Sequence, residues 1–526
     1  MKLHFLSYLI FLINLSVLYT HRCGTDFMNI RPYKINNDRV NENRRLSTNY
    51  SPIKIKVDYT QLKYQINNNQ IFSFYEEVFQ DVSNYFNALL SVQHINVELD
   101  KSLINNNCEI SKIGKGVEKW LYENDVVIFP YIDFSLEEEI LAAATACLVL
   151  NDYRPVGGLV ALNQNFRMDK VDSKEYLEML LLHELSHVLA FHPYFFESLN
   201  LLKTEIIDGY NYTYINSSKV LEKAKIHFNC ENIKGIQLED QGGEGSVGAH
   251  WESRYMLGDY MISTDYTEVV ISDITLALFE DTGFYKVNYY TGGLFRFGKN
   301  QGCAFLEEDC IHNLETSFPN EFCVESGRNF CGSSHLSRGI CGIFRYPDEI
   351  EEKYQYFGSK NIGGIFSSAN YCPVSFYLES SVDDSYYYPG HCNYGYPKYY
   401  GETIGEHSFC FESSLVPKGF SSIKEKSICY EIECDKFEKQ IIIKIGSSKV
   451  ICNETMSTLI GPDEFLGEIT CPDYNLVCSS EIQCNDMLDC IKKKSTALRN
   501  TYIYIKSNKI TINYSFLYLI IIFYLL

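Results

Sequence analysis

Residues 172–191 read DSKEYLEMLLLHELSHVLAF. The length and composition predict one helix, capped by Asp172, with Glu175 three residues on to complete a capping box. Inside it, His183-Glu184-Leu185-Ser186-His187 forms an H-E-x-x-H sequence. Residues four apart lie on one face of a helix, so both imidazoles can reach a single ion. Glu184 is adjacent and can face the open side of that ion. A bound zinc acidifies a water to a pKa of about 7 and polarises a peptide carbonyl, and a carboxylate beside it can take the proton. No protein nucleophile is then needed. The plainer reading is two partly exposed histidines on a core helix.

Catalytic zinc takes three protein ligands. In the common metzincin pattern the third histidine follows the second by six residues, after a glycine three residues on. Those positions here are Pro193 and Ala190. His192 comes one residue early, and on a continuing helix its direction would be wrong by about 100°. It reads as a surface or packing histidine. The better candidate is His250, 63 residues beyond His187 in Gly248-Ala249-His250-Trp251-Glu252, with Met261 following in Gly258-Asp259-Tyr260-Met261-Ile262-Ser263.

Working outward, Ile53, Ile55 and Val57 alternate with polar residues as in a half-buried strand, and Phe74 to Leu90 reads as a helix. Asp125 to Tyr131 and Gly157 to Leu162 read as buried strands, the second after a turn at Arg154-Pro155. A further helix is expected over Val269 to Asp281, stopped by Gly283. Asn200 to Gly248 gives no clear pattern, and there is no convincing internal repeat. Strands feeding the motif helix predict an α+β catalytic unit.

The 46 Lys+Arg and 67 Asp+Glu leave a formal charge of −21, which excludes the basic face a nucleic-acid binder needs. Apolar residues at 46% and charged residues at 21% are ordinary for a folded chain. The 19 cysteines point to an oxidising compartment and a disulfide framework. Only Cys23, Cys108, Cys147 and Cys230 precede Cys303; the rest crowd into a Tyr-, Gly- and Ser-rich region expected to be loop-rich and disulfide-bonded.

Residues 1–20 read as a secretory signal peptide, with an uncleaved anchor as the alternative. Residues 21–45 read as a propeptide, Arg44-Arg45 being a plausible processing point. Phe516 to Leu526 is an apolar tail of eleven residues, too short for a bilayer-spanning helix of about 20. Behind a polar spacer it matches a glycosylphosphatidylinositol (GPI) attachment signal over residues 496–526, with Asn500, Ser507 and Asn508 as attachment candidates. A final strand or helix of the fold is the alternative. Sequons at Asn49, Asn211, Asn216 and Asn453 agree with secretion.

These motifs together resemble the leishmanolysin family, metzincin proteases with a long insertion between the second and third zinc histidines. The resemblance is carried by His250-Trp251 and the methionine turn at Met261, and by Arg154-Pro155-Val156-Gly157-Gly158 ahead of the helix. Leu276 to Tyr285, Gly298 to Cys303, Tyr371-Cys372-Pro373 and His21-Arg22-Cys23 add to it. It covers about residues 21 to 375. It implies a metzincin catalytic unit, a twisted sheet plus active-site helix, over residues 46–199. An inserted region with the third ligand and Met-turn would occupy 200–302, and a cysteine-rich C-terminal domain 303–495. One zinc would sit on His183, His187 and His250, with Glu184 as general base and Met261 as an apolar floor. Strand Gly158 to Leu162 would be the edge to which an extended peptide substrate adds. Cys23 would be the propeptide thiol that blocks the zinc, leaving eighteen cysteines, enough for nine bridges. Ala190 stands where the family has a left-handed glycine, so either an alanine is strained by about 1–2 kcal/mol or the helix runs on. The implied protein is a GPI-anchored surface endopeptidase; the rival is a catalytically silent adhesion protein on the same fold.

Overall fold

A computed structural model of the chain describes residues 28, 30–35, 49–136, 140–164, 173–241, 246–264, 266, 268–289, 294–376, 390–393, 396–420, 426–453 and 458–478. Expectations placed on residues 1–20, Cys23, Arg44–Arg45, Asp172, the Glu175 side chain and residues 496–526 lie outside them.

The N-terminal part of the chain is built on a five-stranded sheet in the order Tyr33–Lys34, Ala142–Val149, Pro155–Asn163, Val126–Asp133, Ile55–Val57. Ala142–Val149 runs antiparallel to Pro155–Asn163, and the other neighbours are parallel. Side chains alternate between two cores, as the two-residue strand period requires. Val126, Ile128, Ala144, Val160 and Leu162 face the helices Asn69–Leu89 and Ser173–Leu189. Val127, Phe129, Ala143, Leu159 and Ala161 face a second core with Ile104, Val117 and Leu121, where Cys108–Cys147 ties the covering segment to the sheet.

Asn69–Leu89 begins five residues before the expected start. Asn68 caps it, accepting from Gln70 N at 2.9 Å and Ile71 N at 3.3 Å. Phe72, Tyr75, Phe79, Val82, Phe86 and Leu89 make its buried stripe.

Strand Gly158 to Leu162 is not an edge. It lies within Pro155–Asn163, which has a partner on each side and is buried at every position. An uninterrupted apolar run is the mark of such a doubly covered strand. The outer strand of the pair is Ala142–Val149, and among the described residues its far side is paired only at Leu148 and Val149, by Tyr33 and Lys34.

The motif helix Ser173–Leu189 meets the sheet closely at Gly158. A Cβ there would lie 2.2 Å from Val188 Cγ1, so only glycine fits. The helix neither runs on nor ends in a left-handed alanine, because Ala190 does not have a positive φ. Instead the Ala190 and Phe191 amides both donate to Ser186 O, at 2.9 and 2.8 Å. Pro193 then opens a new helix, Pro193–Ser198, with His192 as its cap.

The segment without clear pattern folds as a hairpin, Leu202–Ile207 with Tyr210–Ile215, followed by the helix Ser218–Phe228. Ile236–Gln237 then returns to pair with Tyr214–Ile215. The expected 269–281 helix spans Asp273–Asp281, with Ser272 as cap. One core joins the motif helix, this insertion and the start of the cysteine-rich region, since Leu185, Phe228, Met261, Phe305, Phe322 and Cys372 all belong to it.

Among the described residues sixteen cysteines form eight disulfides, six of them within the region beyond Cys303 and one, Cys230–Cys303, joining its start to the preceding segment. Cys484 and Cys490, the ninth pair by arithmetic, lie outside the described residues. Residues 303–376 are loop-rich as expected. Beyond them stands a six-stranded sheet whose strand pairs are all antiparallel, with its own core of Phe411, Ile428, Tyr430 and Ile443. No helix of the described residues is long and apolar enough to cross a membrane.

Candidate metal centre

His183 and His187 project from one face of the buried helix Ser173–Leu189, as the i, i+4 spacing requires. His250 arrives from the insertion. Its backbone lies in a short ladder, with Glu239 N donating to His250 O at 2.9 Å and Trp251 N donating to Met261 O at 2.9 Å. The three Nε2 atoms converge: His187 to His183 is 3.1 Å and His183 to His250 is 3.2 Å.

Each ring has a backbone carbonyl behind it. His183 Nδ1 is 2.6 Å from Tyr260 O, His187 Nδ1 is 2.7 Å from Phe191 O, and His250 Nδ1 is 3.1 Å from Ser246 O. A carbonyl only accepts, so each Nδ1 carries the proton and each Nε2 presents a lone pair. Three lone pairs aimed at one point repel unless a cation lies among them. Burial pushes His183 down to about 4, opposed by its bond to Tyr260 O. Burial, then the nearness of His183 and His250, holds His187 well below its usual range. Neutral imidazoles oriented by carbonyls are the donor set zinc takes. The residues present therefore fit that ion.

Glu184 is fully buried on the same helix, beside His183. Met261 is also fully buried, in the core shared with the motif helix. His192 takes no part in the triad. Its Nδ1 accepts from Tyr194 N at 3.1 Å and its Nε2 is 3.5 Å from Thr145 Oγ1, so it caps and packs.

Several residues at the centre escaped the sequence reading. Asp259 is fully buried and organises the Met-turn. Its Oδ1 accepts from Met261 N at 2.8 Å, and its Oδ2 from Ser272 N at 3.1 Å and Thr275 Oγ1 at 2.7 Å. Thr275 Oγ1 also accepts from Trp251 Nε1 at 2.7 Å, which ties the His250 strand to the helix Asp273–Asp281. Tyr260 meets the motif helix twice, through its carbonyl to His183 and its hydroxyl to Ser186 Oγ at 2.6 Å. The one charged residue in Gly258-Asp259-Tyr260-Met261-Ile262-Ser263 was the available signal for Asp259.

This helix, distant third histidine and methionine turn agree with what comparison of the whole sequence finds. The leishmanolysin profile, peptidase family M8, matches residues 89–484. The chain belongs to the leishmanolysin family. It is 30% identical over 369 residues to a leishmanolysin of Leishmania chagasi, covering 66% of this chain and 59% of that protein. The leishmanolysin of Leishmania major is 29% identical over 367 residues, covering 66% and 58%. A leishmanolysin-like peptidase of Drosophila melanogaster is 28% identical over 299 residues, covering 50% and 44%. The chain thus spans about three fifths of the length of its Leishmania relatives. The leishmanolysin match takes in His183, His187 and His250 alike.

Proposed function

We propose that the chain is a zinc-dependent endopeptidase of the leishmanolysin type, with His183, His187 and His250 holding one zinc. The observation that carries this is the convergence of three Nε2 atoms whose rings are each fixed from behind by a carbonyl. When bound, zinc supplies Lewis acidity, lowering the pKa of water and polarising the peptide carbonyl. Glu184 takes the proton of the attacking water and returns it to the leaving amine, as general base and then general acid. Met261 underlies the histidines and keeps that side of the centre apolar.

The substrate is a protein or peptide bound in extended form. The strand suited to receive it is Ala142–Val149, whose outer side is free of described partners over 142–147. The same edge supports a latent precursor: Tyr33–Lys34, in the expected propeptide, pairs with its end. Cys23, ten residues upstream of Tyr33, is the proposed blocking thiol. The precursor with Cys23→Ala is then more active than the wild-type precursor, and equal latency contradicts the role.

The proposal extends to passage through the secretory pathway, glycosylation and attachment to the outer cell surface by a GPI anchor. Release from cells by phosphatidylinositol-specific phospholipase C supports the anchor. A mature chain still carrying Phe516 to Leu526 contradicts it. The activity itself is tested by digesting a peptide library with mature protein. Cleavage abolished by a zinc chelator and restored by zinc is expected; no cleavage by fully zinc-loaded protein contradicts the proposal.

A further inference from the structure

A second group of metal-ligating side chains lies on the backbone ladder that carries His250. Glu239, Asp240 and Glu252 bring carboxylate oxygens within 4.8 Å of one another. Glu239 and Glu252 are 1% and 0% exposed. Glu239 Oε1 accepts from Gln241 N at 2.8 Å and its Oε2 from Ser263 Oγ at 3.1 Å. The contacts to Asp240 are long: Gln237 Nε2 at 3.3 Å, Gln241 Nε2 at 3.4 Å, Tyr354 hydroxyl at 3.4 Å and Lys353 Nζ at 3.8 Å.

An independent observation points to a missing ligand. Glu252 Oε1 accepts from Arg254 N at 3.0 Å and the Asp240 amide also bears on the carboxylate, but no hydrogen bond reaches its buried Oε2. Arg254 gives it no hydrogen bond: its Nη2 donates to Phe305 O and Glu308 O, both at 3.2 Å, and its buried Nη1 has no hydrogen-bond partner. A buried carboxylate oxygen is kept only when paired or bound to a metal. Here it belongs to a group of three carboxyls set against two cations, Lys353 at the rim and the buried Arg254 guanidinium.

We propose that Glu239, Asp240 and Glu252 form a calcium site, with Glu252 Oε2 as a direct ligand. The chemistry selects the ion. All donors are carboxylate oxygens, which suit hard cations and not zinc. Oxygens about 2.3–2.6 Å from one ion lie within about 5 Å of each other, as these do. Magnesium demands near-ideal octahedral geometry and keeps its waters.

The position gives the site a role. Glu252 N donates to Gln237 O at 3.0 Å, Glu239 N to His250 O at 2.9 Å, and Gly248 N to Glu239 O at 2.9 Å. Ser263, which holds Glu239, is two residues past Met261. A cation here staples the strand bearing His250 to the insertion and to the exit of the Met-turn, so calcium firms the third zinc ligand without touching zinc.

The test uses full-length mature protein dialysed into calcium-free buffer with one equivalent of zinc. Equilibrium dialysis with radioactive calcium and thermal melts with calcium or magnesium chloride provide the readouts. Expected are one saturable calcium per chain, a calcium-dependent rise in Tm of several degrees, and no such rise with magnesium at the same concentration. Glu252→Gln weakens calcium binding at least tenfold. Should that variant fail to fold, Asp240→Asn at the half-exposed rim carries the comparison and weakens binding several-fold. No saturable binding at millimolar calcium overturns the proposal. So does equal binding in wild type and in the variant that folds. A calcium-independent Tm that rises as the pH is lowered from 7 to 5 also overturns it, since the carboxyls would then be sharing protons.

Discussion

Each of the three converging histidines gives one ring nitrogen to a carbonyl and keeps the other for the shared centre. Glu184 is not one of the three proposed ligands, so Glu184→Gln is expected to retain zinc and fold. Its kcat should fall about 10²- to 10⁴-fold, the usual worth of a general acid–base group; steady-state assays beside metal analysis check this, and near-wild-type turnover would remove its role. Asp259→Ala leaves buried donors at Met261, Ser272 and Thr275 without their acceptor. A loss of at least about 2 kcal/mol is expected, read by denaturant unfolding. His227, one of several buried histidines, supplies a testable part of the pH dependence. It is buried, its Nε2 is 2.8 Å from Phe297 O, and burial pushes its pKa down to about 3. The unfolded chain takes up a proton near pH 6.5 that the native imidazole refuses. Its contribution is therefore complete above pH 6.5 and lost progressively as the pH falls toward 3. The slope is at most about 1.4 kcal/mol per pH unit. Stability of His227→Gln should fall less steeply than wild type over that window. At this scale the sequence showed the i, i+4 histidines and Glu184 because helix geometry is local. It could not show the carbonyl of Tyr260, which tertiary folding brings to His183 from 77 residues away.

Among the elements, the contact of Pro155–Asn163 with the motif helix sets where His183 and His187 stand. Gly158→Ala drives a Cβ into Val188 Cγ1. Overpacking of this kind costs about 1–3 kcal/mol and should shift the helix enough to weaken zinc binding. Adding Val188→Ala should restore part of both, because the two side chains share one space; unfolding and metal titration of the single and double variants test this, and strict additivity would refute it. The strands and the motif helix were legible from apolar runs and periodicity. Their order was not, since which buried strand lies at the edge is fixed by pairing between segments far apart in sequence. Hence Gly158 to Leu162 reads as an edge in sequence and lies inside the sheet. The hairpin Leu202–Ile207 with Tyr210–Ile215 was illegible for another reason: it is largely exposed, so it lacks a clean apolar alternation. The antiparallel sheet beyond residue 408 was hidden by the cysteine density, which reads as loops.

Across the whole molecule, the segment bearing His250 and the start of the cysteine-rich region share one core with the motif helix and together support the proposed metal centre. Cys230–Cys303 fastens the end of helix Ser218–Phe228 to the start of the cysteine-rich region and closes a loop spanning 73 residues, inside which His250 and Met261 lie. Chain-entropy arguments assign such a closure about 4 kcal/mol. The double variant Cys230→Ser/Cys303→Ser should lose stability of that order by denaturant unfolding, and His250 should hold zinc less well. Unchanged stability would mean that the shared apolar core alone fastens the insertion. The central claim is that His250, distant in sequence, completes the donor set begun by His183 and His187. Its most direct test is the zinc content per chain of purified wild type, His250→Ala and His192→Ala by elemental mass spectrometry after dialysis. One zinc in wild type and in His192→Ala, and little in His250→Ala, is the predicted result; full zinc in His250→Ala with loss in His192→Ala would contradict it.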